Sequence, residues 1–147
     1  MAHYAENRKA RFNYEFLEKY ETGIELLGTE VKSVRGGLMS LEGAFVIIRG
    51  GEAFLINANI PPYQPKNAPK DYDSLRNRKL LLTKKEITEL AGSEKNKSLT
   101  IVPILVYNKN RKIKVEIALV KGKKKFDKRE TLKKRDTDRE IRRAIKN

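Results

Sequence analysis

Cysteine is absent from this 147-residue chain, and histidine occurs once, as His3. Disulfides, thiolate metal sites and cysteine nucleophiles are thereby excluded, and a reducing compartment is the simpler setting. A single histidine near the start leaves little for a zinc site or a histidine-dependent triad. No apolar run approaches the roughly 20 residues that a membrane-crossing helix needs. The start, MAHYAENRKARF, carries no apolar stretch of the secretory kind. A cytoplasmic protein with no membrane contact, no metal and no cofactor is expected. Phosphate-binding loops are lacking too, because neither Gly36–Gly37 nor Gly50–Gly51 precedes a GK[ST]. Ser33 and Ser40 have no histidine to activate them. Glu15, Glu18 and Glu21 form a solvated or ion-paired face more simply than a catalytic pair. No catalytic residue is assigned and no enzymatic activity is expected.

Positive charge is what the sequence has in excess. Thirty-three Lys and Arg face nineteen Asp and Glu, a net of +14. The distribution is uneven: residues 121–147 hold 13 basic and 5 acidic residues and so carry +8 of that total. Such asymmetry calls for a densely anionic partner, a nucleic acid or an anionic surface.

The length suits one domain, since a chain of this size hides roughly two-thirds of its unfolded surface. Residues 1–13 are polar and basic and are expected to be loose, with a helical turn from Asn7. Residues 14–28 are ambiguous: Phe16, Leu17 and Tyr20 suit a helix face, whereas Ile24, Glu25 and Leu26 alternate as in a strand. An extended stretch that becomes a clear strand by Gly23 is expected. TEVKSVRGG is one short helical turn stopped by Gly36–Gly37. In AFVIIRGGEAFLINA two β-forming runs flank Gly50–Gly51, a hairpin pattern. Four prolines make 61–78 a long loop, functional or disordered, that ends near Arg76 and Arg78.

Leu80, Leu81 and Leu82 read as a short buried run. Thr83 and Glu86 form a capping box for a helix through Ile87, Leu90 and Ala91, expected to end at Gly92. Residues 99–120 are a second hairpin turning at NKNR. In its second strand Ile113, Val115, Ile117 and Leu119 alternate with a mostly charged outer face. The sum is mainly β: a small antiparallel barrel of the OB type with one or two short helices and a basic C-terminal tail. An open α+β sandwich is the alternative. The body spans 1–122. Residues 123–147 are too poor in apolar side chains to order alone, and form a tail expected to become helical on a partner.

Aromatic rings beside cations carry the binding reading. Tyr14, Tyr63, Tyr72 and Phe126 each lie within a few residues of Lys or Arg, a pairing that stacks bases while cations hold phosphates. Each also suits a structural role, Phe126 least, because its charged surroundings offer no core. Arg76, Arg78, Lys79, Lys84 and Lys85 flank the long loop as a binding wall or a solvated rim. KGKKKFDKR alone also fits a nuclear-localisation tag.

Taken together and in order, NRKARFNY, ETGIELLGTEVKSVRGG, GEAFLINANIPPY, RNRKLLLTKKEI and KVEIALVKGKKKFDKRE resemble one family. It is that of the SsrA-binding proteins (small protein B), bacterial partners of transfer-messenger RNA (tmRNA) in ribosome rescue. The resemblance implies an OB-fold body that grips the tRNA-like domain of tmRNA at its D-arm and elbow. It implies delivery of alanyl-tmRNA, charged by alanyl-tRNA synthetase, to a stalled 70S ribosome together with elongation factor Tu. There the body stands in for the absent anticodon arm, and the tail passes the 16S rRNA decoding site into the empty mRNA channel. The alternative is a constitutive ribosomal structural protein with a basic extension.

The expected tmRNA-binding residues are Asn7, Lys9, Tyr14, Glu21, Lys32, Arg76, Arg78, Lys79, Leu81 and Lys84. By resemblance, Glu21 accepts hydrogen bonds from RNA or orients a lysine such as Lys32, although a strand-edge ion pair is an ordinary alternative. Leu81 is a second family RNA position that suits a core equally well. The expected ribosome-binding segment is Gly122, Lys123, Lys124, Lys125, Phe126, Asp127, Lys128 and Arg129, with Phe126 stacking on a ribosomal base. The chain departs from the family pattern at Asn59, at Thr83 and at Tyr72–Asp73–Ser74, where the family carries histidines. At Phe126 the family commonly has Tyr or His.

Overall fold

The structure, a computed structural model, describes residues 3–67 and 69–122. In chain order its elements are β1 (His3–Glu6), α1 (Arg8–Asn13), β2 (Tyr14–Ile24), α2 (Gly28–Arg35), β3 (Phe45–Arg49) and β4 (Glu52–Ile56). A 3₁₀ turn (Pro65–Asn67) follows, then β5 (Arg78–Leu81), α3 (Lys84–Glu94), β6 (Leu99–Lys109) and β7 (Lys112–Gly122).

Both hairpins form where their turn residues place them. Between β3 and β4, Gly50 and Gly51 take φ of 57° and 75°, the left-handed pair that matches a two-residue turn to strand twist. Between β6 and β7, Asn110 and Arg111 take φ of 52° and 66°. All strand pairs are antiparallel, in the order β1-β6-β3-β4-β5-β2-β7. β6 also pairs with β7, so the sheet returns on itself as a nearly closed ring with β1 outside it. That pairing removes the open sandwich from consideration. The ring is thinnest where β3 meets β6, at Val46 and Ile101, and where β2 meets β5. Inside it Val46, Leu55, Ile60, Leu80, Ile101, Val115 and Ile117 form the main core, joined by Val34 of α2 and Leu90 of α3.

Several elements differ from expectation. The N-terminal segment is not loose: His3–Glu6 pairs with β6. β2 is strand throughout its 11 residues, because pairing with β7 along its length outweighs the helical spacing of Phe16, Leu17 and Tyr20. Leu17 is its bulge, half-exposed between Phe16, which faces Val120, and Glu18, which faces Leu119. α2 runs for 8 residues rather than one turn. α3 continues through Gly92 to Glu94, whose carboxylate accepts the Ile48 N–H at 2.7 Å. That tertiary anchor offsets the roughly 1 kcal/mol cost of an interior glycine. The Leu80–Leu82 run is not uniformly buried, since Leu81 points outward and is 48% exposed. The outer face of β7 is not charged along its whole length either. Ala118 and Val120 are buried with Val102 and Ile104 beneath Ala10 of α1, a second small core.

Proline in a strand explains the socket for the N-terminus. Pro103 has no N–H to give a neighbouring strand, and β6 bulges beside it, with Ile104 the extra residue. The freed carbonyls point at Asn7: its backbone N–H donates to Ile104 at 2.8 Å and its Nδ2 to Pro103 at 3.0 Å. Its Oδ1 accepts the Ala10 N–H, capping α1.

Candidate nucleic-acid interface

The residues expected to bind RNA fall into three neighbourhoods. The first is a groove of about 430 Å³ between α2, the end of β2, β5 and the β6–β7 turn. Ile24, Leu26, Leu81 and Ile113 line it with apolar surface, and Arg35, Arg111, Lys112 and Lys114 contribute four cations. Leu81 reaches it because Gly23 lies opposite across the β2–β5 pair. A Cβ on Gly23 would stand 3.2 Å from both Cβ and Cδ1 of Leu81. The groove is anchored by Arg35, whose Nη2 donates to the Arg111 carbonyl at 3.1 Å and Nη1 to the Tyr4 hydroxyl at 3.3 Å.

Glu21 stands beside this groove. The Tyr107 hydroxyl donates to it, and Lys109 Nζ lies 3.2 and 3.3 Å from its two oxygens. The Tyr107 hydrogen bond, then Lys109, holds the Glu21 carboxyl below its ordinary pKa. Burial, then the same hydrogen bond, pushes the Tyr107 hydroxyl above its own ordinary value, so it remains a donor. Lys114, which lines the groove, adds to the field on Glu21. The lysine that Glu21 orients is therefore Lys109, not Lys32. The distance in sequence between strands β2 and β6 hid this partner. The alternation of Lys112 and Lys114 in β7 was the readable trace of the cationic face.

The second neighbourhood surrounds α1. Lys9 pairs with Glu42, both exposed. Tyr14 is half-buried against the second core and sits opposite Gly122, the last residue of β7. Asn7 is a correction: it is largely buried, and its side chain serves the α1 cap and the β6 bulge rather than a free basic surface.

The third neighbourhood joins α2, the long loop and β5. Arg78, expected on a basic wall, is wholly buried. It bonds Glu30 Oε2 through Nη2 at 2.6 Å and Nε at 3.0 Å, and reaches the Ala58 and Ser74 carbonyls. Glu30, itself buried, also accepts from Arg76 Nε at 3.2 Å and the Leu27 N–H at 2.8 Å, and the Tyr72 hydroxyl lies 3.1 Å from it. This cluster replaces an RNA contact with an internal strut, since a buried guanidinium requires a buried carboxylate. Arg76 is part-exposed on its edge. Lys79 pairs with Glu52 at 3.2 Å, while Lys84 is exposed at the start of α3. Lys123 to Arg129, Phe126 among them, lie outside the described residues.

Among the described residues no group of three or more His, Asp or Glu is placed to hold a metal ion, and no helix is long and apolar enough to cross a membrane. Fold and groove together define a basic β-ring protein with a cation-lined apolar groove on its side. The chain belongs to the SmpB protein family, whose model matches residues 4–147. It is 51% identical over 142 residues to an SsrA-binding protein of Thermosynechococcus vestitus, covering 97% of this chain and 93% of that one. It is 55% identical to an SsrA-binding protein of a Sulfurihydrogenibium species, again covering 97% and 93%. The corresponding protein of Enterococcus faecalis is 50% identical over 143 residues, covering 97% and 92%. A solved chain from "tmRNA-SmpB: a journey to the center of the bacterial ribosome" superposes with a TM-score of 0.68 at 46% identity, covering 82% of this chain and 84% of that one.

Proposed function

We propose that this protein is a non-enzymatic tmRNA-binding factor of trans-translation that acts on stalled ribosomes. The observation that carries the reading is the family match across residues 4–147, shared with relatives described as SsrA-binding. In this reading the ring is an OB-type barrel, and residues 1–122 are the RNA-binding body. The body holds the tRNA-like domain of tmRNA near its D-arm and elbow, with alanyl-tRNA synthetase and elongation factor Tu acting on the same RNA. Residues 123–147 engage the decoding site and mRNA channel. The setting is the cytoplasm.

The groove supports this reading. Four cations around apolar surface suit a backbone whose sugars and bases both touch protein. Leu81, Glu21 with Lys109, and Lys84 are the contacts we favour; Lys9, Lys32 and Lys79 extend the field. Asn7 and Arg78 act from inside.

Capture tests it directly. The tagged chain, recovered from a bacterial lysate at moderate salt, should carry tmRNA as its dominant RNA when the bound pool is sequenced. Recovery in fixed proportion with all ribosomes, without tmRNA enrichment, would mean a constitutive ribosomal protein.

Glu21 gives a test of sign. If it merely offset nearby lysines, Glu21→Ala would tighten RNA binding by removing a negative charge. We expect the opposite, a roughly tenfold loss of tmRNA affinity, because Lys109 and Tyr107 lose the group that orients them. Tighter binding by filter titration would remove Glu21 from the interface.

A further inference from the structure

Between α2 and the proline-rich loop lies a second concavity, apart from the groove. It measures about 110 Å³, several times the space one water needs. Pro61, Pro62, Tyr63 and Pro69 give it mostly apolar walls, Lys32 brings one cation to it, and no carboxylate lines it.

The pocket is built rather than incidental. Ser33 Oγ donates to the Pro61 carbonyl at 2.6 Å, tying the loop to α2. The Tyr72 hydroxyl donates to the Ile60 carbonyl at 2.7 Å, and the buried Arg78 holds the Ser74 carbonyl at 3.1 Å. The loop is thus fixed on both sides of the cavity by groups that are themselves anchored on Glu30. Tyr63 leans on Gly36: a Cβ there would lie 3.6 Å from its ring carbon Cε2. The rest of the Tyr63 side chain is open, with the residue 48% exposed. Lys32 is exposed and has no acidic partner among the described residues.

A large exposed ring normally costs solubility, and an exposed loop normally leaves its rings mobile. Here a ring stands open, on a loop whose backbone is tied at both ends, beside an unpaired cation. We propose that this pocket takes an unstacked nucleobase, which lies against Tyr63 while Lys32 meets the phosphate of the same nucleotide. The chemistry is that of stacking platforms on single-stranded or looped RNA, where aromatic rings hold bases and cations follow the backbone. Preorganisation of the loop lowers the ordering cost on binding. An apolar protein side chain fits less well, because it gives Lys32 nothing to neutralise. The inference rests on the RNA-binding reading above and adds to it a defined base site. The base comes from tmRNA or from ribosomal RNA, and the two sources separate experimentally.

The chain has no tryptophan, so Tyr63→Trp in the full-length protein creates a single indole fluorophore inside the pocket. Leu17→Trp, at the exposed bulge of β2, controls for effects of RNA without stacking. Titration with transcribed tmRNA, then with ribosomes carrying it, should quench the pocket fluorophore in one of the two arms and leave the bulge fluorophore little changed. The arm in which quenching appears names the source of the base. In that arm Tyr63→Ala should bind roughly tenfold more weakly, whereas Tyr63→Phe stays near the parent. An unquenched pocket fluorophore in both arms, with binding intact and Tyr63→Ala equal to the parent, would overturn the site. So would a blue-shifted emission indifferent to RNA, which would put the chain's own residues 123–147 in the pocket. A parent protein that binds neither RNA would overturn the proposed function itself, an outcome distinct from loss in the variants alone.

Discussion

Deleting residues 123–147 should abolish peptide tagging of stalled chains while the shortened protein still binds tmRNA. The deleted segment holds 12 Lys and Arg against 5 Asp and Glu, a net of +7, half of the +14 of the whole chain. Its removal lowers the number of phosphates neutralised, so nonspecific RNA binding should weaken and become less salt-dependent. Specific binding should survive, because the groove at Arg35, Leu81 and Lys114 and the Glu21–Lys109 pair belong to the β-ring. The two activities therefore separate: tmRNA affinity read by filter binding, and tagging read in a reconstituted translation reaction on a truncated message. Normal tagging by the truncated chain would remove the segment from the mechanism. Phe126→Ala is the point version of this test, expected to reduce tagging more than tmRNA affinity. Equal losses in both assays would assign that ring to the RNA-binding body.

The largest stability effect should come from Glu30→Ala. Glu30 is 1% exposed and Arg78 is not exposed at all. Removing the carboxylate leaves Arg78 charged, buried and without its counter-ion, a loss of about 3–5 kcal/mol. That is a large share of the roughly 5–15 kcal/mol by which a domain is stable. For a chain of this size it should lower the melting temperature by on the order of 10 °C. Arg76→Ala should cost far less, since Arg76 is part-exposed and Arg78 still satisfies Glu30. Breaking the exposed Lys9–Glu42 pair should cost about 1 kcal/mol or less. A Glu30→Ala melt within a couple of degrees of the parent, roughly the effect of one surface pair, would mean that the strut is dispensable.

The same strut sets an acid limit. Burial alone would raise the Glu30 carboxyl. Hydrogen bonds from Arg76, the Leu27 N–H and Arg78 outweigh it and hold the pKa below the ordinary value. A depressed folded pKa stabilises fully above the unfolded value of about 4.3. The contribution is lost as pH falls through the folded pKa. Acid should therefore loosen the long loop and the Tyr63 pocket together, since both hang on Glu30.

Local chemistry explains what could be read early. The Gly50–Gly51 hairpin, the NKNR turn and the Thr83–Glu86 cap are short-range features, and each appears where its residues place it. β2 was ambiguous because Phe16, Leu17 and Tyr20 repeat at helical spacing, and only the long pairing with β7 decides for strand. β1 is too short to be read at all without its partner β6. Asn7 and Arg78 looked like surface ligands for RNA because both are polar and lie in motifs rich in cations. What buries them is distant in sequence: a bulge made by Pro103 and a carboxylate at Glu30.

By itself the amino-acid sequence determined the mainly β class, the two hairpins, the one-sided positive charge, the lack of cysteine, and the family pattern. These rest on composition, on residues a few positions apart or on ordered motifs, and so survive without coordinates. Only the tertiary structure decided that the sheet returns on itself through β6 and β7, that Lys109 rather than Lys32 serves Glu21, that Arg78 is a strut, and that Tyr63 is held open over Gly36. The reason is common to all four. Burial and ion pairing depend on which distant segment arrives alongside, and one cationic or aromatic side chain reads the same in sequence whether it meets solvent, a carboxylate or a base.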